Sequence, residues 1–345
     1  MVVGVGGGGG NAVHRMMNAG LQGVELVAVN TDAQVLEIVE AHQHVQIGRK
    51  LTGGLGAGGD PEIGRQAAEE SREDVADLLE GLDMVFVTAG MGGGTGTGAA
   101  PVIAEVAKEL GVLTVAIVTR PFSFEGLARA QKAEVGIGRL AQNVDAIVTI
   151  SNDKLLKVAP PDMPLTKAFQ LVDEVLRQGV QGVTDLITVP GLINLDFADV
   201  ESVLRGAGTA MMGIGDAEGE NKTREAARRA VSSPLLDSTV KGAKKAILNI
   251  TGGGELTLEE VTEAAGVINE ALSEKADLIF GATIHDGMQK VRVTVIATGF
   301  PPLSGEEVTE TEEAAILERI EREGYVRDDY DIPTFLRRSR RSDLP

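Results

Sequence analysis

The chain has 345 residues, enough for two domains, and 43% of them are hydrophobic but only 3% aromatic, so its core must be built mainly from aliphatic side chains. A formal net charge of −19 argues against a general nucleic-acid binder and against broad adhesion to anionic membranes. The absence of cysteine excludes disulfides and thiol nucleophiles, and no neighbours complete a metal-ligand set around the four histidines, so we expect no protein metal site.

Short β-branched runs alternate with helical stretches through the first half of the chain. Apolar strands separated by helices predict a parallel sheet covered by helices on both faces. The predicted strands are residues 1–5, 24–29, 83–88, 112–119 and 144–150, and the predicted helices are residues 12–19, a short one after Asp32, 99–110 and 124–141.

A long helix separates this half from a second, mixed half. An apolar stripe at helical spacing, which includes Ala168, Val172 and Leu176, predicts a helix from residue 165 to about residue 183. Beyond it we predict helices at 197–205 and 258–272 and strands at 208–214, 246–250, 278–282 and 291–297. The expected fold is an α/β protein with a Rossmann-like parallel-sheet domain, a long central helix and a smaller mixed α/β domain.

The character of the sequence changes again near its end. Residues 304–331 contain eleven acidic residues and three arginines. Because the segment has too few apolar residues to fold alone, we predict a disordered acidic tail. The tail ends in residues 331–338, where an apolar cluster of Ile332, Phe335 and Leu336 runs into arginines. Such a cluster is expected to bury its apolar groups only on a partner.

The first glycine run, Gly4 to Asn11, follows a predicted strand and opens a helix. Glycine lets the backbone approach a phosphate closely, and the helix N-terminus behind it favours negative charge. Gly4, Gly6 and Gly9 also satisfy the G-x-G-x-x-G pattern of dinucleotide-binding enzymes, with Asp32 near the end of the next strand. Alone, this run leaves mononucleotide, dinucleotide and purely structural interpretations open.

A second run, Gly92 to Gly98, also follows a strand and opens a helix, and it adds the hydroxyls of Thr95 and Thr97. Two such segments on strands of one sheet can hold one polyphosphate between them, and a dehydrogenase has no use for the second. No Gly-Lys-Ser/Thr sequence occurs, so a Walker-type phosphate loop is excluded. The second run therefore favours a mononucleotide.

Several motifs together resemble those of the tubulin/FtsZ family of GTPases, in the order in which FtsZ proteins carry them. The second glycine run matches the signature of the superfamily, and residues 331–338 resemble the FtsZ tail peptide. The other matching segments are residues 6–11, 30–33, 54–58, 121–126, 151–156 and 194–200. The resemblance covers residues 2 to about 300 and the terminal peptide, and it implies a self-assembling GTPase of bacterial cell division.

The resemblance also implies where GTP or GDP would bind, with Mg²⁺ held mainly through the nucleotide phosphates. A carboxylate at Asp173 could accept two hydrogen bonds from the N1–H and the exocyclic amine of guanine, which adenine cannot offer together. The residues implied for the phosphates are Gly7, Gly8, Gly9, Gly10, Asn11, Ala57, Gly58, Gly92, Gly93, Gly94, Thr95, Gly96, Thr97 and Gly98, those for the ribose are Glu125 and Arg129, and those for the base are Asn152, Phe169 and Asp173.

Simpler interpretations of some of these residues stay open. Phe169 lies at helical spacing within the long helix and could be a core residue. Glu125 and Arg129 are four residues apart and could form an ordinary i,i+4 ion pair. Asp173 could be a solvated surface carboxylate.

Asn194, Asp196 and Asp199 form a second candidate set. Asp196 lies where a helix N-cap belongs, and Asp199 in the first turn is favoured by the helix dipole, so capping alone explains both. The resemblance implies a catalytic role instead, in which this loop enters the nucleotide pocket of the next subunit and its acids position the attacking water. Assembly would then complete the active site.

The same resemblance implies the domain plan, the partners and the location. The expected segments are a GTP-binding domain at 1–164, the central helix at 165–190, a C-terminal domain at 191–302, an acidic linker at 303–328 and a partner-binding peptide at 329–345. The expected partners are further copies of the chain, joined head to tail, and membrane-anchoring division proteins that bind Asp331 to Arg338. No run approaches the roughly 18 apolar residues of a membrane span, and no signal segment is evident, so we expect a cytoplasmic protein at the mid-cell division site that does not insert into the membrane.

Overall fold

The computed structural model describes residues 1–300 except 157, 158, 161, 190, 192, 194, 234, 236–239, 274 and 286. The predicted acidic linker, the terminal peptide at 331–338 and Asn194 therefore lie outside the described residues.

Alternating strands and helices build the first half of the chain. They end at Leu156, shortly before the long helix begins. In chain order they are β1 (Val2–Val5), α1 (Gly6–Asn18), β2 (Leu26–Asn30), α2 (Ala33–Ile38), β3 (Gln43–Gln46), α3 (Arg49–Thr52), α4 (Pro61–Glu70), α5 (Arg72–Leu79), β4 (Met84–Gly90), α6 (Thr95–Glu109), β5 (Leu113–Arg120), α7 (Leu127–Ala141), β6 (Ala146–Ser151) and α8 (Asn152–Leu156).

The second half begins with the long helix and continues with mixed structure. Its elements are α9 (Leu165–Thr188), α10 (Phe197–Leu204), β7 (Gly208–Ala217), α11 (Lys222–Val231), β8 (Lys245–Gly252), α12 (Leu258–Ala271), β9 (Asp277–Ile284) and β10 (Val291–Thr298). No described helix has the length and continuous apolar character that a membrane crossing requires.

The ten strands of the described residues form one sheet in the order β3-β2-β1-β4-β5-β6-β7-β10-β8-β9. Strands β1 to β7 pair in parallel, and β10 runs antiparallel to both of its neighbours, β7 and β8. The predicted α/β class with a mostly parallel sheet is confirmed. The strands of the two halves join where β7 pairs with the first residues of β6. Strands that precede and follow the long helix in the chain therefore belong to one sheet.

Alternate strand residues supply two cores on opposite faces of the parallel part of the sheet. Val2 of β1 packs in the core that includes Met16 and Leu176, whereas Val3 packs in the core that includes Ile103. This alternation follows from the period of two along a strand. A third core, which includes Leu248, serves the second half of the chain.

Helix α9 is five residues longer than predicted. It ends at Thr188 instead of about residue 183, because its buried stripe continues through Val183 and Leu186. With 24 residues it spans about 36 Å at the usual rise of about 1.5 Å per residue. The helix is therefore long enough to reach from the carboxyl ends of the parallel strands to their amino ends.

The predicted starts of two helices were wrong, and one predicted helix is divided. Helix α1 begins at Gly6 instead of residue 12, and α6 begins at Thr95 instead of residue 99, so both glycine runs supply the first turns of helices rather than loops alone. The helix predicted at 124–141 is a short 3₁₀ turn over Ser123–Glu125 followed by α7, because Gly126 has a φ of 95° that ends the turn.

Several short elements were not predicted. Strand β3 is half exposed at the edge of the sheet and reads Gln-His-Val-Gln, which carries no apolar signal. Helices α3, α4, α5, α8 and α11 were also missed. Helix α11 reads Lys-Thr-Arg-Glu-Ala-Ala-Arg-Arg-Ala-Val and buries mainly alanine, so its buried stripe has little of the large apolar character that a sequence pattern shows.

Candidate nucleotide-binding site

Most of the predicted site residues follow the carboxyl ends of parallel strands. Strands β1, β2, β4, β5 and β6 point the same way, so the segments that follow them gather at one edge of the sheet. The strand order reverses at β1, which has β2 on one side and β4 on the other. Such a reversal opens a crevice where open α/β sheets bind ligands.

The two glycine segments touch each other at this crevice. A Cβ atom added to Gly6 would lie 2.7 Å from the amide nitrogen of Gly96, and one added to Gly8 would lie 3.0 Å from the amide nitrogen of Gly90. Only glycine allows backbones to come this close. The N-termini of α1 and α6 are thereby placed side by side, where their amide groups and dipoles favour one anion.

The predicted phosphate-binding glycines include two contrasting groups. A Cβ atom on Gly7, Gly58 or Gly93 would meet no atom within 4 Å, so these residues border open space. A Cβ atom on Gly9 would overlap the carbonyl oxygen of Thr88, and one on Gly98 would overlap that of Pro61. The second group therefore has a packing reason to be glycine whether or not a nucleotide binds.

The loop at residues 54–58 is fixed against the end of β2 and against the second glycine segment. The amide of Ala33 donates to the carbonyl of Gly54 over 3.0 Å, which ties the loop to the end of β2. A Cβ atom on Gly94 would lie 2.8 Å from Cβ of Ala57, so the loop also packs on the second glycine segment. The buried hydroxyls of Thr31 and Thr95 are 2.7 Å apart and join the same two regions.

Thr97 has a structural partner within its own segment. Its hydroxyl accepts a hydrogen bond of 2.8 Å from the amide of Gly92, and the residue is only 2% exposed. This bond holds the turn between β4 and α6. Asn11, by contrast, is exposed on α1.

The predicted ribose pair forms the ion pair that its spacing suggested. Arg129 Nη1 lies 3.1 Å from Glu125 Oε2, and the other oxygen of Glu125 accepts from the amide of Phe122 over 2.8 Å. Glu125 thus holds its own turn while Arg129 remains about half exposed. The amide of Ser123 donates to Asp153 Oδ1 over 2.9 Å, which anchors this turn to α8.

Phe169 is not a core residue. It is 41% exposed on α9, and its ring meets that of buried Phe122 edge-on, with centroids 5.3 Å apart. Phe122 is in turn stacked on Phe124 at 5.0 Å. One part of the Phe169 ring is therefore anchored while the rest is open to a planar ligand.

Asp173 is enclosed rather than solvated. Its side chain is 12% exposed, and Oδ2 accepts a hydrogen bond of 3.0 Å from Arg15 Nε on α1. Burial raises the pKa of the Asp173 carboxyl above its ordinary value, and the hydrogen bond and charge of Arg15 act in the opposite direction.

Asn152 carries a buried acceptor that a ligand could satisfy. The residue is 5% exposed, and its Oδ1 has no hydrogen-bond partner among the described residues. A buried acceptor without a partner costs free energy unless another molecule supplies a donor. Together with the open glycines, this orphaned oxygen fits a nucleotide. Within the same residues, no group of three His, Asp or Glu is placed to hold a metal ion.

The acidic candidates form a reciprocal capping box at the start of α10. Asp196 Oδ1 accepts from the amide of Asp199 over 2.8 Å, and Asp199 Oδ2 accepts from the amide of Asp196 over 3.3 Å. Both bonds are exposed to solvent. The capping interpretation is therefore realised in the geometry, with the carboxylates still accessible from outside.

Helix α10 lies beside the amino edge of the parallel strands, away from the glycine segments. At the end of α9, Thr188 packs on Gly23, which precedes β2. After α10, the amide of Gly208 donates to the carbonyl of Asp145, which precedes β6. Both ends of the segment that carries Asp196 thus lie at the edge opposite the crevice.

Two family models match the chain in succession. Residues 1–160 match the GTPase domain of the Tubulin/FtsZ family, and residues 208–301 match the C-terminal domain of the FtsZ family. A solved FtsZ dimer from M. jannaschii is 47% identical and superposes with a TM-score of 0.84 over 86% of this chain and 87% of its own. The chain belongs to the FtsZ family.

Further solved structures extend the FtsZ likeness. A point mutant of M. jannaschii FtsZ, also 47% identical, superposes with a TM-score of 0.84 over 87% of this chain and 90% of its own. CetZ2 from Haloferax volcanii, described as a GTPγS-bound protofilament, is 23% identical with a TM-score of 0.76 over 92% of this chain and 98% of its own, which shows the shared fold alone.

For this FtsZ-family chain, the sequence analysis missed three residues that contact predicted site residues or the turn that carries them. Arg15 pairs with Asp173, Asp153 holds the turn before α7, and Thr31 meets Thr95. Asp153 and Thr31 lie inside matched motifs, but Arg15 lies outside them. The sequence feature that could have indicated Arg15 is its positive charge on the helix that follows the first glycine run.

Proposed function

We propose that this FtsZ-family chain binds GTP between its two glycine segments, assembles head to tail and hydrolyses GTP at the interface between subunits. The observation that carries the proposal is the separation of two sets of residues along one chain. The predicted nucleotide residues gather at the carboxyl edge of the sheet, and Asp196 and Asp199 lie beside the opposite edge. A second subunit would bring the two sets together.

The crevice supports a nucleotide of the guanine type. The paired N-termini of α1 and α6 suit a polyphosphate, and the half-exposed ring of Phe169 suits stacking on a base. Asp173 and the orphaned oxygen of Asn152 supply hydrogen-bond acceptors in the same region. Guanine offers donors to such acceptors at N1 and at its exocyclic amine.

The acidic loop supports hydrolysis in a neighbouring pocket. Phosphoryl transfer needs a positioned water and charge stabilisation more than covalent chemistry by the protein. The accessible carboxylates of Asp196 and Asp199 can orient a water only in a pocket that another molecule presents. The solved M. jannaschii relative is described as a dimer and the H. volcanii relative as a protofilament, which agrees with self-association.

Mg²⁺ would be held mainly by the nucleotide phosphates, where it neutralises charge that develops during transfer. The protein side of the site would then provide backbone amides and open space rather than a cage of carboxylates. Gly7 and Gly93 provide that space.

The biological setting that the family suggests is the cell-division ring in the cytoplasm at mid-cell. In that setting the segment from Asp331 to Arg338 would bind a membrane-anchoring division protein. Deleting residues 329–345 should leave GTP hydrolysis and filament formation largely intact and abolish binding to the anchor. Undiminished anchor binding by the truncated chain would contradict this role.

The decisive assay combines sedimentation with phosphate release. GTP should support both pelleting and phosphate release, and ATP should support neither, because adenine cannot donate to Asp173 at two adjacent positions. A dinucleotide-binding enzyme would instead bind NAD(P) and show no GTP-dependent pelleting. Equal binding of GTP and ATP in calorimetry would reject the base assignment.

A further inference from the structure

Arg15 and Asp173 form an ion pair between two helices that border the crevice. Arg15 lies on α1, the helix that the first glycine run opens, and Asp173 lies on α9. The Nε–Oδ2 distance is 3.0 Å, and the side chains are 33% and 12% exposed. The contact therefore joins a partly exposed cation to a nearly enclosed carboxylate.

The carboxylate has lone pairs to spare after this contact. Each carboxylate oxygen can accept about two hydrogen bonds, so one bond from Arg15 leaves Oδ1 and part of Oδ2 available. The N1–H and exocyclic amine of guanine would occupy two adjacent acceptors. A fixed rotamer of Asp173 is required for that match, and a guanidinium bond to one oxygen restricts the rotamer.

We propose that Arg15 is a positioning residue, which holds the Asp173 carboxylate in the orientation and charge state that a guanine base requires. The inference rests on the proposed GTP-binding function and deepens it. Arg15 would set the preference for guanine over bases that lack the exocyclic amine, without contacting the phosphates.

The electrostatics around Asp173 support this role. Burial raises the pKa of the Asp173 carboxyl, and Arg15 is the charged group that opposes the rise. His14, next to Arg15 on α1, faces Glu40 rather than Asp173, with 3.9 Å between His14 Nδ1 and Glu40 Oε2. On α8, which packs on α9, Asp153 accepts from the amide of Ser123, and Lys154 is the other charged residue of α8.

Removing Arg15 should make guanine binding depend on pH. Without the opposing charge, burial alone acts on the pKa of Asp173, so the carboxyl protonates at a higher pH than in the unaltered chain. A protonated carboxyl carries a donor on one oxygen and can accept freely only on the other, so it cannot accept from N1–H and the exocyclic amine together. Affinity for GTP in an Arg15 variant should therefore fall as the pH falls and recover as the pH rises.

The test compares Arg15→Gln and Arg15→Lys with a matched control. Arg72 is similarly exposed, at 30%, and its ion pair with Glu109 at 2.8 Å lies on α5 and α6, so Arg72→Gln controls for loss of a partly exposed arginine. The dissociation constants of GTP and ITP are measured for each full-length chain at about pH 6 and pH 8. ITP carries hypoxanthine, which keeps N1–H but lacks the exocyclic amine.

We expect Arg15→Gln to bind GTP more weakly than the unaltered chain, with a larger loss at pH 6 than at pH 8, and to lose more of the GTP-over-ITP preference at the lower pH. Arg15→Lys should restore part of the preference because it keeps the charge. Arg72→Gln should behave as the unaltered chain. Asp173→Asn should be weak at both pH values, and adding Arg15→Gln to it should cost little more, because the two residues act as a unit.

Two outcomes would overturn the role of Arg15. One is an Arg15→Gln chain whose GTP-over-ITP ratio and pH dependence equal those of the unaltered chain. The other is a loss that is the same for GTP and ITP and independent of pH, which would make Arg15 a general structural residue. Failure of the unaltered chain to prefer GTP over ATP would instead reject the proposed function itself.

Discussion

The two ends of helix α9 present acidic residues in opposite ways. Near its start, Asp173 is nearly enclosed and paired with Arg15, and the neighbouring Asn152 has an orphaned acceptor. Beyond its end, the carboxylates of Asp196 and Asp199 are accessible to solvent and bonded to each other's backbone. The first end combines an enclosed carboxylate with a buried acceptor that a ligand could satisfy. The second end is a surface feature that gains a chemical role only against another molecule.

Capping alone does not require the charge at the second end. Asparagine and serine cap helices about as well as aspartate, and glutamine serves as well as an acid at the third helical position of a capping box. Two carboxylates on an exposed turn are therefore more charge than the helix needs. Mutations that keep the capping hydrogen bonds but remove the charge can therefore separate the capping role of Asp196 and Asp199 from their proposed catalytic role.

The largest effect should come from blocking the first end. Gly93→Arg should abolish detectable GTP binding, since a Cβ atom there meets no atom within 4 Å and the side chain would enter the space proposed for phosphate. The backbone of Gly93 does not have a positive φ, so arginine should fit without strain. Calorimetric titration with GTP measures the loss.

Gly138→Arg is the matched control for that variant. Gly138 is exposed on α7, and a Cβ atom there also meets nothing within 4 Å. Its GTP affinity should remain that of the unaltered chain, and its melting temperature should not fall, because arginine is better than glycine inside a helix. Normal GTP binding by a folded Gly93→Arg chain would place the phosphates elsewhere.

At the second end, catalysis should fall while the helix cap survives. Asp196→Asn and Asp199→Gln each keep a capping acceptor and remove the carboxylate, so the free energy of unfolding should change by only about a few tenths of a kcal/mol. GTP hydrolysis should fall by about a hundredfold or more, because a positioned acid–base group typically contributes that much. Phosphate release and GTP binding are measured on the same samples.

If Asp199→Gln hydrolyses GTP at the normal rate within normal filaments, its carboxylate has no catalytic role. The capping box would then explain the residue fully.

A smaller effect should follow from shortening Phe169. Phe169→Ala should weaken GTP binding by about 1–3 kcal/mol, the usual worth of stacking a base on an aromatic ring. Phe124→Ala is a suitable comparison, because Phe124 is also exposed and also packs on Phe122. Equal losses in the two variants would indicate damage to the aromatic cluster rather than a lost base contact.

The smallest effect concerns the cap itself. Asp196→Ala removes the acceptor for the amide of Asp199 and should lower the free energy of unfolding by about 1 kcal/mol. Chemical denaturation with Asp196→Asn in parallel measures it. A loss of the same size in both variants would mean that charge, not capping, stabilises the start of α10.

The sequence predicted the strands better than it predicted where the helices begin. Apolar strands such as β4 and β5 showed clear patterns, whereas glycine runs hide the first turns of α1 and α6 because glycine carries no periodic signal. The family resemblance implied Glu125 and Arg129, their spacing suggested an ion pair, and the structure shows that they form one. The Arg15–Asp173 contact spans 158 residues and could not be derived from local spacing. The roles of the site residues remain predictions.

Mixing two inactive variants tests most directly whether the active site is shared between subunits. Gly93→Arg should bind no GTP but present an intact Asp196 and Asp199, and Asp199→Gln should bind GTP but offer a neighbour no catalytic loop. Gly93 is preferred to Gly96 for blocking the pocket, because a Cβ atom on Gly96 would lie 2.9 Å from the carbonyl oxygen of Gly90 and disturb the fold. We expect hydrolysis to return in the mixture at head-to-tail contacts between the two variants. No return at any mixing ratio, with both chains folded and associating, would contradict a shared active site.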